Sequence, residues 1–399
     1  MRIHFWHRLG LALGLAFSNM YVAQAQATSG QQASQVTKIP TEFQIIGSTG
    51  YPRVVRVVGK SGRDTGKLVA SSLRKIFESG DQGQTWQLIS TIDATSDGLA
   101  TRCCETLFQL TRPVGNLPRG TLIYAAAYLK RNVPAIGYYL SSDHGKTWVF
   151  QGTPVERGDT HHGLWEPQFE IADDGALVMF WSDETDPAYS QKVAQIRNYL
   201  KGAGWQDERD TVASGNEMDR PGMVVVSRLS NRRFIMTYEV QGPQSGEVRA
   251  RISMDGWHFG DPKDLGFRPT DQQGEYFRVA PTNTWVPTQN ERNGTIFVVG
   301  RNLVESDGHP AALDGQVLFM NTDPDGDGVW TRIPAPVPVA GIPPSTAINC
   351  ENYSSALLPY PDGAGLVELA TKADNAGVKF GKGCSIYVGH IHLGRKPHF

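Results

Sequence analysis

The chain has 399 residues, 40% of them hydrophobic and 20% charged, and a formal net charge of −2. That balance is ordinary for a folded globular protein and excludes the basic field that nucleic-acid binding needs. Its 43 glycines and 24 prolines suit many turns between short strands.

The N-terminus carries Arg2 and Arg8, then the apolar run LGLALGLAF, then AQAQA with small residues at Ala23, Ala25 and Ala27. This is the three-part pattern of a secretory signal, and the run is too short for a spanning helix. A membrane anchor is the alternative reading of the same segment. The following TSGQQASQVT reads as a polar linker. The expected organisation is a signal peptide over 1–27, a linker over 28–40 and one domain over 41–399. A secreted or periplasmic location follows, with no stable membrane insertion and a monomeric state. Of the four cysteines, Cys350 and Cys384 are candidates to pair in an oxidising compartment. The adjacent Cys103 and Cys104 read as two buried free thiols.

Further along, SGDQGQTW (Ser79–Trp86) and SSDHGKTW (Ser141–Trp148) repeat the pattern S-x-D-x-G-x-T-W. The aspartate suits a turn in which it accepts backbone N–H groups, and the glycine supplies a positive φ. Shortened or expanded copies stand at Ser253–Phe259 and Asn321–Trp330. The pattern resembles the Asp-box of sialidase-like β-propellers. Trp86, Trp148, Trp205, Trp257 and Trp330 fall roughly 50–75 residues apart, a blade-like period. At roughly 60 residues a blade, the mature chain accommodates about six. Short β-rich runs such as TLIYAAAY, ALVMFWSD and RRFIMTYEV agree. Only YSQKVAQIRNYLKG has a local helical pattern, with a strand and loop as its alternative. The expectation is an all-β, six-bladed propeller. Asp323, Asp325 and Asp327 resemble the start of a calcium loop but lack the closing glutamate, so a solvated turn, no metal and no cofactor are expected.

Two carboxylates interrupt apolar strands: Glu166 in GLWEPQF and Glu239 in RRFIMTYEVQG. They lie a little over one blade period apart, so neighbouring blades would turn them toward each other. Paired carboxylates across a bond are what glycoside cleavage uses. The segments GLWEP, FWSDETDPAYSQKV, DRPGMVVVSRL and RRFIMTYE, in this order, resemble glycoside hydrolase family 93; VGNLPRGTLIYAA and CENYSSALLPY extend the likeness. The resemblance implies a retaining exo-α-1,5-L-arabinanase on a sialidase-type propeller, acting on an arabinan-like oligo- or polysaccharide, with Glu166 and Glu239 as its catalytic pair. Around the pair, Tyr353 is a candidate to orient a glutamate. Arg220, Asp183 and Arg53 are candidates for polar contacts, and Trp165 and Tyr238 for apolar faces to a sugar ring. His161 and His162 are placed at the rim. A sialidase is the rival reading; FWSDE, however, sets Asp183 where a sialidase would carry an arginine for its anionic substrate. A non-catalytic glycan-binding propeller is the alternative of another class.

Overall fold

Strands such as Leu122–Lys130 and Leu177–Asp183 are apolar along nearly their whole length and buried on both faces. A sheet built from such strands must be covered on each side, and here each sheet is covered by its neighbours. The structure, a computed structural model, describes residues 37–46 (as backbone), 51–158, 162–288, 291–342, 350–373 and 383–393. The expected signal peptide, and the linker up to residue 36, lie outside the described residues. All that follows concerns the unit Ser34–Phe399.

Six antiparallel sheets of four or five strands follow one another along the chain. Their innermost strands are Arg53–Val58, Leu99–Gln109, Leu164–Ile171, Arg220–Arg228, Thr282–Val286 and Ala356–Pro359. Each innermost strand packs against the next, and the sixth packs against the first. The result is the expected six-bladed propeller. No α-helix occurs among the described residues, and the segment with a helical pattern supplies the strand Lys192–Asn198. Thr37–Ile46 pairs with Cys384–His392 and completes the sixth blade from the other end of the chain. Hydrogen bonds thus close the ring where an unpaired edge would otherwise stand. This strand begins at Thr37, inside the segment read as linker up to residue 40.

The core is a set of wedges between blades. Ile123, Ala125 and Ile136 of the second blade meet Phe169, Met179 and Trp181 of the third. At the closing seam Ala70 meets Val367, Leu369, Ile386 and Val388. The turns Ser79–Trp86 and Ser141–Trp148 sit on the outer side, after the third strand of a blade. In the first, Asp81 accepts Thr85 N (2.8 Å) and Thr85 Oγ1 (2.6 Å), and Gly83 N donates to Ser79 Oγ (2.8 Å). Asp143, Thr147, Gly145 and Ser141 repeat these contacts. Asn321–Trp330 is an expanded turn of the same kind, with Asp323 Oδ1 accepting the N–H groups of Asp325 and Asp327.

Both cysteine pairs are joined. Cys350–Cys384 ties the approach to the sixth blade's innermost strand to its last strand, with both cysteines fully buried. Cys103 and Cys104 form a disulfide between adjacent residues and are partly exposed, which corrects the expectation of two buried free thiols. The local reason is an irregular register after Cys103 and a left-handed Cys104 (φ 63°), which turn two normally divergent side chains toward each other.

Candidate active site

Every blade holds left-handed, non-glycine residues within its innermost strand or just before it, and six of them, one from each blade, surround the axis. These are Tyr51 (φ 58°), Cys104 (63°), Glu166 (57°), Met223 (54°), Ala280 (49°) and Ser354 (57°). Glu166 and Met223 stand at register breaks, which are bulges in the ladder. Such conformations cost on the order of 1 kcal/mol or more apiece and gather at functional sites. Four of the six, Tyr51, Cys104, Met223 and Ala280, pack together with Val279 and Tyr353 on the propeller axis.

The strain has a visible product: it aims backbone N–H groups at the two glutamates. Met223 N donates to Glu166 Oε2 at 2.8 Å, and Ser182 Oγ donates to the same oxygen at 2.6 Å. Ala280 N donates to Glu239 Oε2 at 2.6 Å. In each case the backbone donor is the left-handed residue of the following blade. Glu239 is 7% exposed. Burial, and next the charge of Glu166, push its carboxyl up to about 7. Burial also raises Glu166, against the pull of its two donors. The charge of Glu166 thus weighs on the ionisation of Glu239.

Glu166 is held by a layer of fixed groups. Gly222, opposite Glu239 in the ladder, has no room for a side chain: a Cβ there would lie 2.3 Å from Gln191 Nε2, 2.8 Å from Ser182 Oγ and 3.4 Å from Glu166 Oε2. Trp165 donates its indole N–H to Glu184 Oε2 at 2.7 Å, and Arg102 lies over its ring at 4.2 Å. Arg220 forms an ion pair with Glu184 and donates to Gln191 Oε1 (3.0 Å) and Ser190 Oγ (2.9 Å). Its charge also lowers Glu239.

On the other side of the axis, Arg53 donates to Ser354 Oγ at 3.0 Å and to Ser354 O at 3.2 Å, linking the first blade to the sixth. It lies 4.2 Å over the Tyr51 ring, and Tyr51 faces Tyr353 with ring centres 6.2 Å apart. Tyr353 OH contacts Met223 Sδ at 3.5 Å. Burial first, then the charges of Glu239 and Glu166, drive the Tyr353 hydroxyl well above the ordinary tyrosine range. Tyr353 is thus a neutral hydroxyl beside both carboxylates.

Glu166, Glu239, Trp165, Arg220, Tyr353 and Arg53 are therefore brought together. Two residues expected at the site are not among them. Tyr238 is fully buried between blades and donates to Leu265 O at 2.5 Å. Successive strand residues point to opposite sides, so turning Glu239 to the axis turns Tyr238 into the core. Asp183 is 2% exposed and its Oδ1 accepts Thr185 N (2.8 Å) and Thr185 Oγ1 (2.6 Å), a local turn. Its neighbours Ser182 and Glu184 take the places by the axis, and the sequence reading missed both. His161 lies outside the described residues, and His162 is exposed.

A carboxylate raised in part by the charge of a second one, on the axis of this propeller, suits glycoside cleavage, and a glycoside hydrolase is the class that the fold and its neighbours define. No protein-family model and no curated protein sequence matches the chain. Among solved structures it is similar to the Penicillium chrysogenum α-L-arabinanase complexed with arabinobiose, at 25% identity over 89% of this chain and 99% of that one, with a TM-score of 0.71. It is also similar to the family 93 α-L-arabinofuranosidase of Fusarium graminearum with arabinobiose, at 22% identity over 90% and 98% of the two chains, TM-score 0.70. The microbial sialidase Hz136 shares the fold at 14% identity over 86% of this chain and 66% of that one, TM-score 0.54. The resemblance to glycoside hydrolase family 93 read from the motifs thus returns in three dimensions.

Proposed function

We propose that the protein is an exported exo-α-1,5-L-arabinanase that cleaves arabinan with retention, using Glu166 and Glu239. The observation that carries this reading is the meeting of two carboxylates on one axis, the buried Glu239 pushed up to about 7 beside the partly buried Glu166. One glutamate donates its proton to the glycosidic oxygen as the C–O bond breaks. The other attacks the anomeric carbon and forms a glycosyl ester. Water then enters, its proton returns to the first glutamate, and the ester opens to release sugar with its configuration kept. Arabinan as substrate rests on the arabinobiose-bound Penicillium structure and on the family 93 motifs. Export rests on the N-terminal pattern and fits the two disulfides.

Product analysis on debranched α-1,5-arabinan tests the reading, with aryl arabinofuranosides and sialyl conjugates as controls. Arabinobiose released from chain ends, with the α-anomer first in the NMR spectrum, is the expected result. Release of sialic acid alone, or arabinan cleavage that survives both E166Q and E239Q at wild-type rates, would overturn it.

A further inference from the structure

The Cys103–Cys104 disulfide plays no part in the chemistry above, yet it sits beside it. Cys104 is the second blade's member of the left-handed ring and packs into the axial cluster with Tyr51, Met223 and Tyr353. On its other side the disulfide borders a cavity of about 360 Å³, lined also by Tyr51, Leu73, Arg74, Arg102 and the buried Glu105. That volume lies within the range of small-ligand sites. Two groups connect the cavity to the glutamates. Tyr51 is close enough that the charges of Glu166 and Glu239 both raise its hydroxyl, after burial. Arg102, next to Cys103, lies over Trp165, the residue before Glu166. Another cavity, about 480 Å³, is lined by Glu170, by residues 226–229 and by Thr284 and Trp285, from three innermost strands, and contains neither Glu166 nor Glu239.

A disulfide between adjacent residues closes a small ring that includes the peptide bond. It presents two sulfur atoms with no hydrogen-bond donor, on a backbone that cannot rotate freely. Carbohydrate rings carry an apolar C–H side, and sites that bind them set an apolar surface against it with donors at the edge. Here the exposed Arg102 guanidinium is such a donor, with the buried Tyr51 in the cavity wall.

We propose that the Cys103–Cys104 disulfide is the apolar floor of a sugar subsite adjoining Glu166 and Glu239, receiving the C–H side of a pentofuranose ring of the substrate. The proposal rests on the reading of the protein as an arabinan-cleaving enzyme. It makes the disulfide a determinant of substrate affinity, set apart from the proton-transfer machinery.

The test is steady-state kinetics on α-1,5-arabino-oligosaccharides of two to six units, with wild type and with Cys103→Ser plus Cys104→Ser. The expected result is a KM raised about tenfold, and arabinobiose binding weakened to match by calorimetry. Turnover at saturation should stay within about threefold, because ground-state and transition-state contacts are lost together. If the double variant does not fold, the native protein serves. Brief dithiothreitol treatment should open the partly exposed Cys103–Cys104 before the fully buried Cys350–Cys384, as peptide mapping after alkylation would show. KM should rise on opening and fall again on reoxidation. Unchanged KM and unchanged arabinobiose affinity with the disulfide gone would overturn the proposal while leaving the enzymatic reading intact. A fall in turnover without a change in KM would overturn it as well, and would assign the disulfide to holding the site's shape. Wild-type protein that neither cleaves nor binds arabino-oligosaccharides would overturn the underlying function first, and the proposal with it.

Discussion

Met223 N–H points at Glu166 Oε2 from 2.8 Å, and it does so because Met223 holds a left-handed backbone at a bulge of the next blade's innermost strand. The relationship recurs one blade on, where Ala280, also left-handed, donates to Glu239 Oε2 at 2.6 Å. A propeller repeats its blades by rotation, so a device that orients one carboxylate is available to the next. Local strain in one blade is thereby exchanged for a fixed carboxylate in its neighbour.

The pair's titration predicts the pH profile. Cleavage needs one glutamate protonated and the other ionised. Because Glu239 is pushed up to about 7, kcat/KM should fall as pH rises through that value and Glu239 loses its proton. The acid side falls as the second carboxylate takes a proton. A rate profile on arabino-oligosaccharides from pH 3 to 9 checks this, and a plateau extending to pH 9 would contradict it.

Ser182 holds the charged form of Glu166, so its loss should move the acid side of that profile. Ser182→Ala removes a 2.6 Å hydrogen bond to Oε2. A hydrogen bond to a charged group of this kind contributes about 1.5 kcal/mol or more, so the acid limb should move up by about one pH unit. Gly222→Ala acts on the same oxygen by displacement, since its Cβ would collide with Gln191 and Ser182. Misplacement of a reacting group on this scale predicts a loss in kcat on the order of 10²-fold, with the fold retained by circular dichroism.

Arg220 acts on the pair from the side. Its charge lowers Glu239, and its ion pair with Glu184 holds the carboxylate that anchors the Trp165 indole. Arg220→Gln should therefore move the alkaline limb upward and raise KM together. A shift of the limb downward would show that the arginine's influence on Glu239 has been misjudged.

Much of this arrangement is legible in the sequence, and what is not has identifiable reasons. The turns with Asp81 and Asp143 announce the blades because their side chains fold the backbone locally. Glu166 and Glu239 stand out as carboxylates in apolar strands. Tyr238 should have been excluded by strand alternation once Glu239 was turned inward. Asp183 against Glu184 is a different case. The bulge at Glu166 shifts the register between the third blade's first two strands, and no composition rule gives a bulge of one residue. The Cys103–Cys104 disulfide likewise depends on a left-handed cysteine at a register break.

Glu105 gives a stability prediction with a definite sign. It is 5% exposed, accepts Arg74 N (2.9 Å) and Tyr124 OH (3.0 Å), and burial pushes it up to about 7. Its folded value lies above its unfolded one, so its contribution is fully present below about pH 4.5 and is lost as pH rises through about 7. The span corresponds to about 3 kcal/mol at most. Wild type should lose melting temperature between pH 5 and 8, and Glu105→Gln should flatten that slope. An unchanged slope would place the pH dependence on Glu170 or Glu239, which share the same elevation.

The ring closure gives the last prediction. Cys350–Cys384 spans 34 positions and sits where the last strand of the sixth blade begins, beside the pairing of Thr37–Ile46 with Cys384–His392. A cross-link over a loop of that length contributes about 3–4 kcal/mol, chiefly by restricting the unfolded chain. Cys350→Ala with Cys384→Ala should lower the melting temperature by several degrees. The loss should also be local at first, because the sixth blade is the one held by the two ends of the chain. Hydrogen exchange should therefore quicken in Gly365–Ala373 and Cys384–His392 before it changes in Leu177–Asp183 of the third blade. Uniform quickening in all six blades would mean that the propeller opens as one unit and that the seam is no weaker than the joints between its other blades.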